Sequence, residues 1–260
     1  MATSLTGVGN IVQGVLDVLP VTDNIYHHLA FTRPLVDALV GEVRRAGPTG
    51  RVLVIGPNEL LPQVLVELGY EVDLWVLDGL PLSEGIRRRA SRCGPLDEII
   101  GATAAHRADV VLVPYVAEAA GLEPSQLLRA LSTHVKRSGR VVMVCRQPGE
   151  LRRRLRGALR KVKATIPSDD IFPLSPTWPT LPSRRLLTSR DLARAGGGQF
   201  RVVRAEMVID HRAYMTTEAL TVWKWVLKEV LHLAKSAVPR LRDCTMVTLV
   251  PTSDARPGAG

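Results

Sequence analysis

"RVLVIGPNELLPQVLVELGYEVDLWVLDG", residues 51–79, decides the fold. "RVLVI" (51–55) is a short, nearly unbroken apolar run rich in β-branched side chains, the composition of a strand covered on both faces. Gly56 opens a turn. "LLPQVLVEL" (60–68) then has helical character, with Pro62 tolerated in the first turn and Gly69 closing the helix. "EVDLWVL" (71–77) reads as a second strand. Strand, helix and strand in this order make a crossover unit with two parallel strands.

The same alternation continues outward. Upstream, "TRPLVDALVGEVRRA" (32–46) carries apolar residues at 35, 36, 39, 40 and 43, and Pro34 and Gly47-Pro48 bracket it as a helix. Downstream, the basic segment "SEGIRRRASRCGP" (83–95) suggests a surface helix and "DEIIGA" (97–102) a third strand. "DVVLVP" (109–114) is a fourth strand, "EPSQLLRALSTHVKRSG" (123–139) a helix and "RVVMVC" (140–145) a fifth strand. After it come a basic helix, "ELRRRLRGALRKVKA" (150–164), and a segment with prolines at 167, 173, 176, 179 and 182 that reads as an irregular loop or lid, 165–183. "TSRDLARAGGG" is a short helix ended by glycines. A strand at 199–209, a long helix at 216–237 and a last strand at 243–251 complete the chain. Parallel crossovers with short loops imply a doubly wound α/β sheet.

A chain of 260 residues with 46% hydrophobic composition buries a full core in one such domain. Residues 1–25 read as an N-terminal extension, 26–251 as the domain and 252–260 as a disordered tail. Cys93, Cys145 and Cys244 are scattered and odd in number, which speaks against a disulfide framework. The N-terminal stretch has no basic leader, and no apolar run approaches the ~18–20 residues that span a bilayer, so a cytoplasmic location is expected. The six histidines show no metal-ligand spacing, and no metal is expected. The net charge of +9 points to anionic partners: an acidic small molecule, a lipid surface or nucleic acid. An Arg-rich, bacterial-type composition is the plainer account of the same charge.

The order of these pieces resembles the class I S-adenosylmethionine-dependent methyltransferases over roughly residues 26–251. "GYEVDLWVLD" looks like that family's second strand, "ADVVLVPYVAEAAG" like its fourth strand and turn, "LLRALSTHVKRSGRVVMVCRQP" like its fifth helix and strand, and "RRLLTSRDLARAGGGQFRVVRAEMV" like the approach to its sixth strand. The resemblance implies a Rossmann-like, seven-stranded, mostly parallel sheet, with 243–251 antiparallel and inserted beside 199–209. It also implies S-adenosylmethionine as cofactor, held by Gly56, Pro57, Asn58, Asp78 and Pro114.

The first turn departs from the family pattern of an acid, one residue, then G-x-G-x-G. Val54 stands at the acid, Asn58 at the second glycine and Leu60 at the third, so only Gly56 matches. Asn58 tolerates a positive φ, whereas Pro57 removes an N–H donor. Asp78 is either the ribose-binding acid in a late register or a turn residue before Gly79, and Gly101-Ala102 occupies the place of a third-strand acid.

Ligands of open parallel sheets sit beyond the carboxyl ends of the strands at the topological switch point, so Gly56–Glu59 and Pro114-Tyr115 are expected to face each other. Tyr115 holds a substrate, stacks on the cofactor or packs on the lid, and His28 either acts as a base or is a surface histidine. His211 and Tyr214 lie where the family keeps substrate contacts. The basic helix offers Arg152, Arg153, Arg154, Arg156, Arg160, Lys161 and Lys163 either as a solvated face or as a surface for phosphate groups. In 216–237, Ala219, Leu220, Trp223, Val226, Leu227, Val230, Leu231 and Ala234 form an apolar face, with Lys224, Lys228 and Lys235 on the polar side. A helix packed on the sheet, a homodimer seam and a peripheral membrane contact all fit that pattern.

The expected activity is methyl transfer to a small or lipid-linked anionic acceptor, at a hydroxyl. The alternative is a binding or scaffold protein of methyltransferase fold whose cofactor turn is degenerate, and a nucleic-acid methyltransferase ranks third.

Overall fold

The computed structural model describes residues 23–56, 60–76, 84–96, 107–114, 123–146, 189–209, 222–239, 242 and 244–252; at 23–33, 60, 84–86, 146, 222–228 and 231 it describes the backbone alone. The elements in chain order are α1 (Asp23–Ala46), β1 (Arg51–Ile55), α2 (Leu60–Glu67), β2 (Glu71–Val76), α3 (Glu84–Arg89), β3 (Arg92–Pro95), β4 (Ala108–Pro114), α4 (Pro124–His134), β5 (Val135–Arg146), α5 (Ser189–Ala195), β6 (Phe200–Val208), α6 (Val222–Ala237) and β7 (Cys244–Pro251). The strands form one seven-stranded sheet in the order β3-β2-β1-β4-β5-β7-β6. β1 to β5 are parallel, and β7 lies antiparallel between β5 and β6. This is the doubly wound sheet expected from the sequence, with β1 central and β7 inserted beside β6.

Alternation along the strands divides the core in two. Val52 and Val54 of β1, Val72 and Leu74 of β2, and Val110 and Leu112 of β4 face α1 and α2, where Leu35, Leu39, Val43, Val64 and Leu65 meet them. Leu53 and Ile55, Val111 and Val113, and Val141 and Met143 face the other way, toward Leu127, Leu128 and Leu131 of α4 and Leu192 of α5. Period-two strands between two helical layers account for the continuous apolar runs read from the sequence.

Several boundaries differ from expectation. α1 begins at Asp23, inside the stretch expected to be an extension, and Pro34 lies within it rather than opening it. The third described strand is β3 at Arg92–Pro95, within the stretch expected to be a surface helix, which stops at Arg89; the strand expected at 97–102 lies outside the described residues. β3 is an edge strand whose residues are mostly exposed, so backbone pairing with Asp73–Val76 holds it without an apolar run. β5 starts at Val135, five residues early, because Val135 pairs with Ala108 before the register shifts and Arg140 pairs with Val110. Gly139 closes that irregularity: a β-carbon there would lie 2.8 Å from the Asp109 carbonyl oxygen. Only a residue without a side chain fits so close to a neighbouring backbone.

In α6 the expected faces are not kept. Lys235, expected on the polar side, is buried, and Val230, on the expected apolar face, is 56% exposed, so that position is not packed on the sheet. The loop or lid 165–183 and the basic helix 150–164 lie outside the described residues, as do most of the N-terminal extension and of the tail.

One buried charge ties the layers together. Glu42 of α1 is 1% exposed and takes ion pairs from Arg45, from Arg204 of β6 at 3.3 Å and from Arg140 of β5 at 3.9 Å; Thr248 Oγ1 of β7 donates to its Oε2 at 3.4 Å. Removing one member of a buried ionic cluster leaves the rest uncompensated. Glu42→Gln is therefore expected to lower stability in urea unfolding by about 2–4 kcal/mol. Glu71→Gln, at a half-exposed carboxylate paired with Arg51, should cost under about 1 kcal/mol. Equal, small losses for both would show that the Glu42 cluster does not hold α1 to the sheet.

Candidate functional site

β1 and β4 lie side by side at the centre of the sheet, and their connections diverge: β1 leads to β2 and β3 on one side, β4 to β5 on the other. The crevice at their carboxyl ends is the topological switch point. Gly56, buried, is the first residue beyond β1, and its N–H donates to the Trp75 carbonyl at 3.0 Å. Pro114 ends β4. A β-carbon on Gly56 would lie 3.0 Å from Pro114 Cγ and 3.5 Å from Cδ. The two residues expected to face each other are thus brought together.

The family resemblance implies that a glycine here lets a cofactor approach the backbone. In the structure the ring of Pro114 stands beside Gly56, so a side chain there would press on the protein itself. Its φ is not in the left-handed region, which holds Gly50, Gly69, Gly197 and Gly198 among the described glycines.

Pro57, Asn58, Asp78 and Tyr115 lie outside the described residues, as do Gly101-Ala102, His211 and Tyr214; His28 lies in α1 where only the backbone is described. The register of β1 on β2, with Ile55 opposite Trp75, puts Asp78 three residues past the last pair.

The residue that sequence reasoning passed over is Trp75. It sits at the carboxyl end of β2, partly buried against the cluster containing Ile55 and Leu96, and its Nε1 is buried with no hydrogen-bond partner. A tryptophan next to the last residue of "EVDLWV" was the available signal.

The opposite, amino-terminal end of the sheet is charged rather than apolar. Arg51, Glu71, Arg107, Asp109 and Lys136 line a shallow cleft there. Most of these charges are spent on one another. Lys136 Nζ donates to Asp109 Oδ1 at 2.8 Å, the Arg51 N–H donates to Asp109 Oδ2 at 3.0 Å, and Arg51 Nε lies 3.1 Å from Asp73 Oδ2. Burial pushes the Asp109 carboxyl up, but the bonds from Lys136 and the Arg51 amide, with the Lys136 charge, hold it below its ordinary value. This end reads as a structural belt. Among the described residues no group of His, Cys, Asp and Glu is placed to hold a metal, and no helix is long and apolar enough to cross a membrane.

No protein-family model matches the chain, and no curated protein matches it in sequence. Solved structures similar to it include a SAM-dependent methyltransferase from Thiobacillus denitrificans in complex with S-adenosyl-L-homocysteine, at 16% identity over 97% of this chain and 100% of that one, with a TM-score of 0.47. The N-methyltransferase NodS from Bradyrhizobium japonicum, also in complex with S-adenosyl-L-homocysteine, is 12% identical over 94% of this chain and 100% of its own, with a TM-score of 0.48. A SAM-dependent methyltransferase from Geobacter sulfurreducens in the same kind of complex is 15% identical over 84% and 91%, with a TM-score of 0.47. These are likenesses of chain path; the sheet order rests on the strand pairing itself.

The contact at the switch point gives a direct test. Gly56→Ala should press on the Pro114 ring and cost about 1–3 kcal/mol in urea unfolding. In the double variant with Pro114→Ala the losses should be non-additive by about 1 kcal/mol or more, since the two residues touch. Additive losses would separate Gly56 from Pro114.

Proposed function

We propose that this chain is an S-adenosylmethionine-dependent methyltransferase acting on a small or lipid-linked anionic acceptor, at a hydroxyl oxygen. The observation that carries this reading is the switch point between β1 and β4, in a seven-stranded sheet whose only antiparallel member is β7. Ligands of open α/β sheets bind in such a crevice. The charge of +9 supports an anionic acceptor.

The residues present fit such a cofactor in part. The Trp75 indole offers a buried donor without an acceptor at the carboxyl end of β2, while Gly56 is accounted for by Pro114. Gly56 and Pro114 would form the floor under the ligand, and Pro57, Asn58 and Asp78 are the further candidates to hold it. When bound, the cofactor supplies a methyl group on a sulfonium, open to in-line displacement by a lone pair of the acceptor. The protein's part is to hold the acceptor in line and keep water out, which can be worth ~7–11 kcal/mol. A hydroxyl acceptor must also lose its proton, and His28 and Tyr115 are the candidate groups.

A second reading has its own support. Pro57 cannot donate from its backbone, Asn58 and Leu60 replace two glycines, and the space beside Gly56 is occupied by protein. A binding or scaffold protein that keeps the fold without the cofactor fits those facts. A nucleic-acid methyltransferase ranks below both, since the basic helix 150–164 lacks interleaved aromatics.

Calorimetric titration with S-adenosylmethionine and S-adenosylhomocysteine separates the two leading readings. Saturable one-to-one binding is expected. Absence of heat up to about millimolar ligand, which bounds the affinity near ~4 kcal/mol, would favour the scaffold.

A further inference from the structure

Trp75 is the fifth residue of β2 and stands in register with Ile55 of β1 on one side and Gly94 of β3 on the other. Neither neighbour carries a side-chain acceptor. The residue two positions back on the same face is Asp73, and its carboxylate lies against Arg51 Nε at 3.1 Å. Trp75 is also fixed in place by its backbone, since its carbonyl accepts the Gly56 N–H.

Its Nε1 is nevertheless buried without a hydrogen-bond partner. An indole N–H can only donate, and a donor closed off from water with no acceptor costs free energy in the folded state. Such groups are rare enough to call for a reason, and a binding role is one of the few available. Trp75 lies at the carboxyl ends of the strands, one strand from the β1–β4 crevice, where an extended ligand crossing β1 reaches β2.

We propose that Trp75 is a ligand-binding residue whose Nε1–H donates a hydrogen bond to an acceptor atom of the S-adenosyl ligand. This rests on the methyltransferase reading above. The ligand would supply the acceptor that Nε1 lacks among the described residues.

The test compares wild type with Trp75→Phe, which keeps an aromatic ring and removes the N–H. Calorimetry with S-adenosylhomocysteine should show affinity about two- to tenfold weaker in the variant. The melting temperature of the ligand-free variant should be unchanged or higher, because an unpaired donor has been removed. In a second measurement, the four indole N–H resonances, from Trp75, Trp178, Trp223 and Trp225, are assigned by replacing each tryptophan with phenylalanine. Trp75 is assigned by elimination if its own variant does not fold. Its resonance should move downfield on saturation with S-adenosylhomocysteine. Wild-type binding with equal affinity in Trp75→Phe, or with an unmoved Trp75 resonance, overturns this proposal and leaves the methyltransferase reading standing. Absence of wild-type binding overturns both.

Discussion

Val52, Leu53, Val54 and Ile55 of β1 are each 3% exposed or less, and they point alternately into the two apolar clusters. The strand they form is paired along both edges, to β2 and to β4. A strand held on four sides has no freedom of register, because a one-residue slip would exchange the two cores. The position of the turn that follows is thereby fixed. Gly56 must emerge beside the end of β4, where Pro114 fills the space that a side chain would need. The crevice at the switch point is a consequence of how β1 is packed.

Charge fastens the layers that the apolar cores only press together. Glu42 reaches from α1 to Arg140, Arg204 and Thr248 on β5, β6 and β7. At the amino-terminal end of the sheet, Arg51 joins β1 to Asp73 on β2 and to Asp109 on β4, and Lys136 brings in β5. Hydrophobic burial is non-directional, and these bonds add direction. The exposed edge is handled differently. β6 has an extra residue at Val203, between Val202 and Arg204 in the pairing with β7, and its outer positions include Arg201 and Arg204. A bulge and charges on an edge strand discourage pairing with another chain.

Strands covered on both faces were legible in the sequence because their composition admits little else: β1, β2, β4 and β7 fall within a residue or so of expectation. β3 was not, since "RCGP" is held by backbone pairing at an edge and carries no apolar pattern. The early start of β5 depends on a register shift around Asp109 that no local propensity encodes. Pro34 pointed to a helix start, yet α1 runs through it. In α6, counting positions put Lys235 on the polar side, yet it is buried, and the count could not tell that Val230 of the apolar face is exposed. At the site, the meeting of Gly56 and Pro114 followed from strand order alone. What the glycine accommodates did not, because it depends on a neighbour 58 residues away in sequence. Trp75 was hidden for a similar reason: an unpaired donor is visible only once every surrounding group has been placed.

The central claim is that ligand binds at the carboxyl ends of β1, β2 and β4 and not in the charged cleft at the other end of the sheet. Hydrogen exchange with and without S-adenosylhomocysteine tests it most directly. Slower exchange on ligand addition is predicted for peptides covering 53–60, 74–80 and 112–118, with no change at 107–109 and 135–139. Protection confined to 107–109 and 135–139 would contradict it and move the site to the opposite end of the sheet.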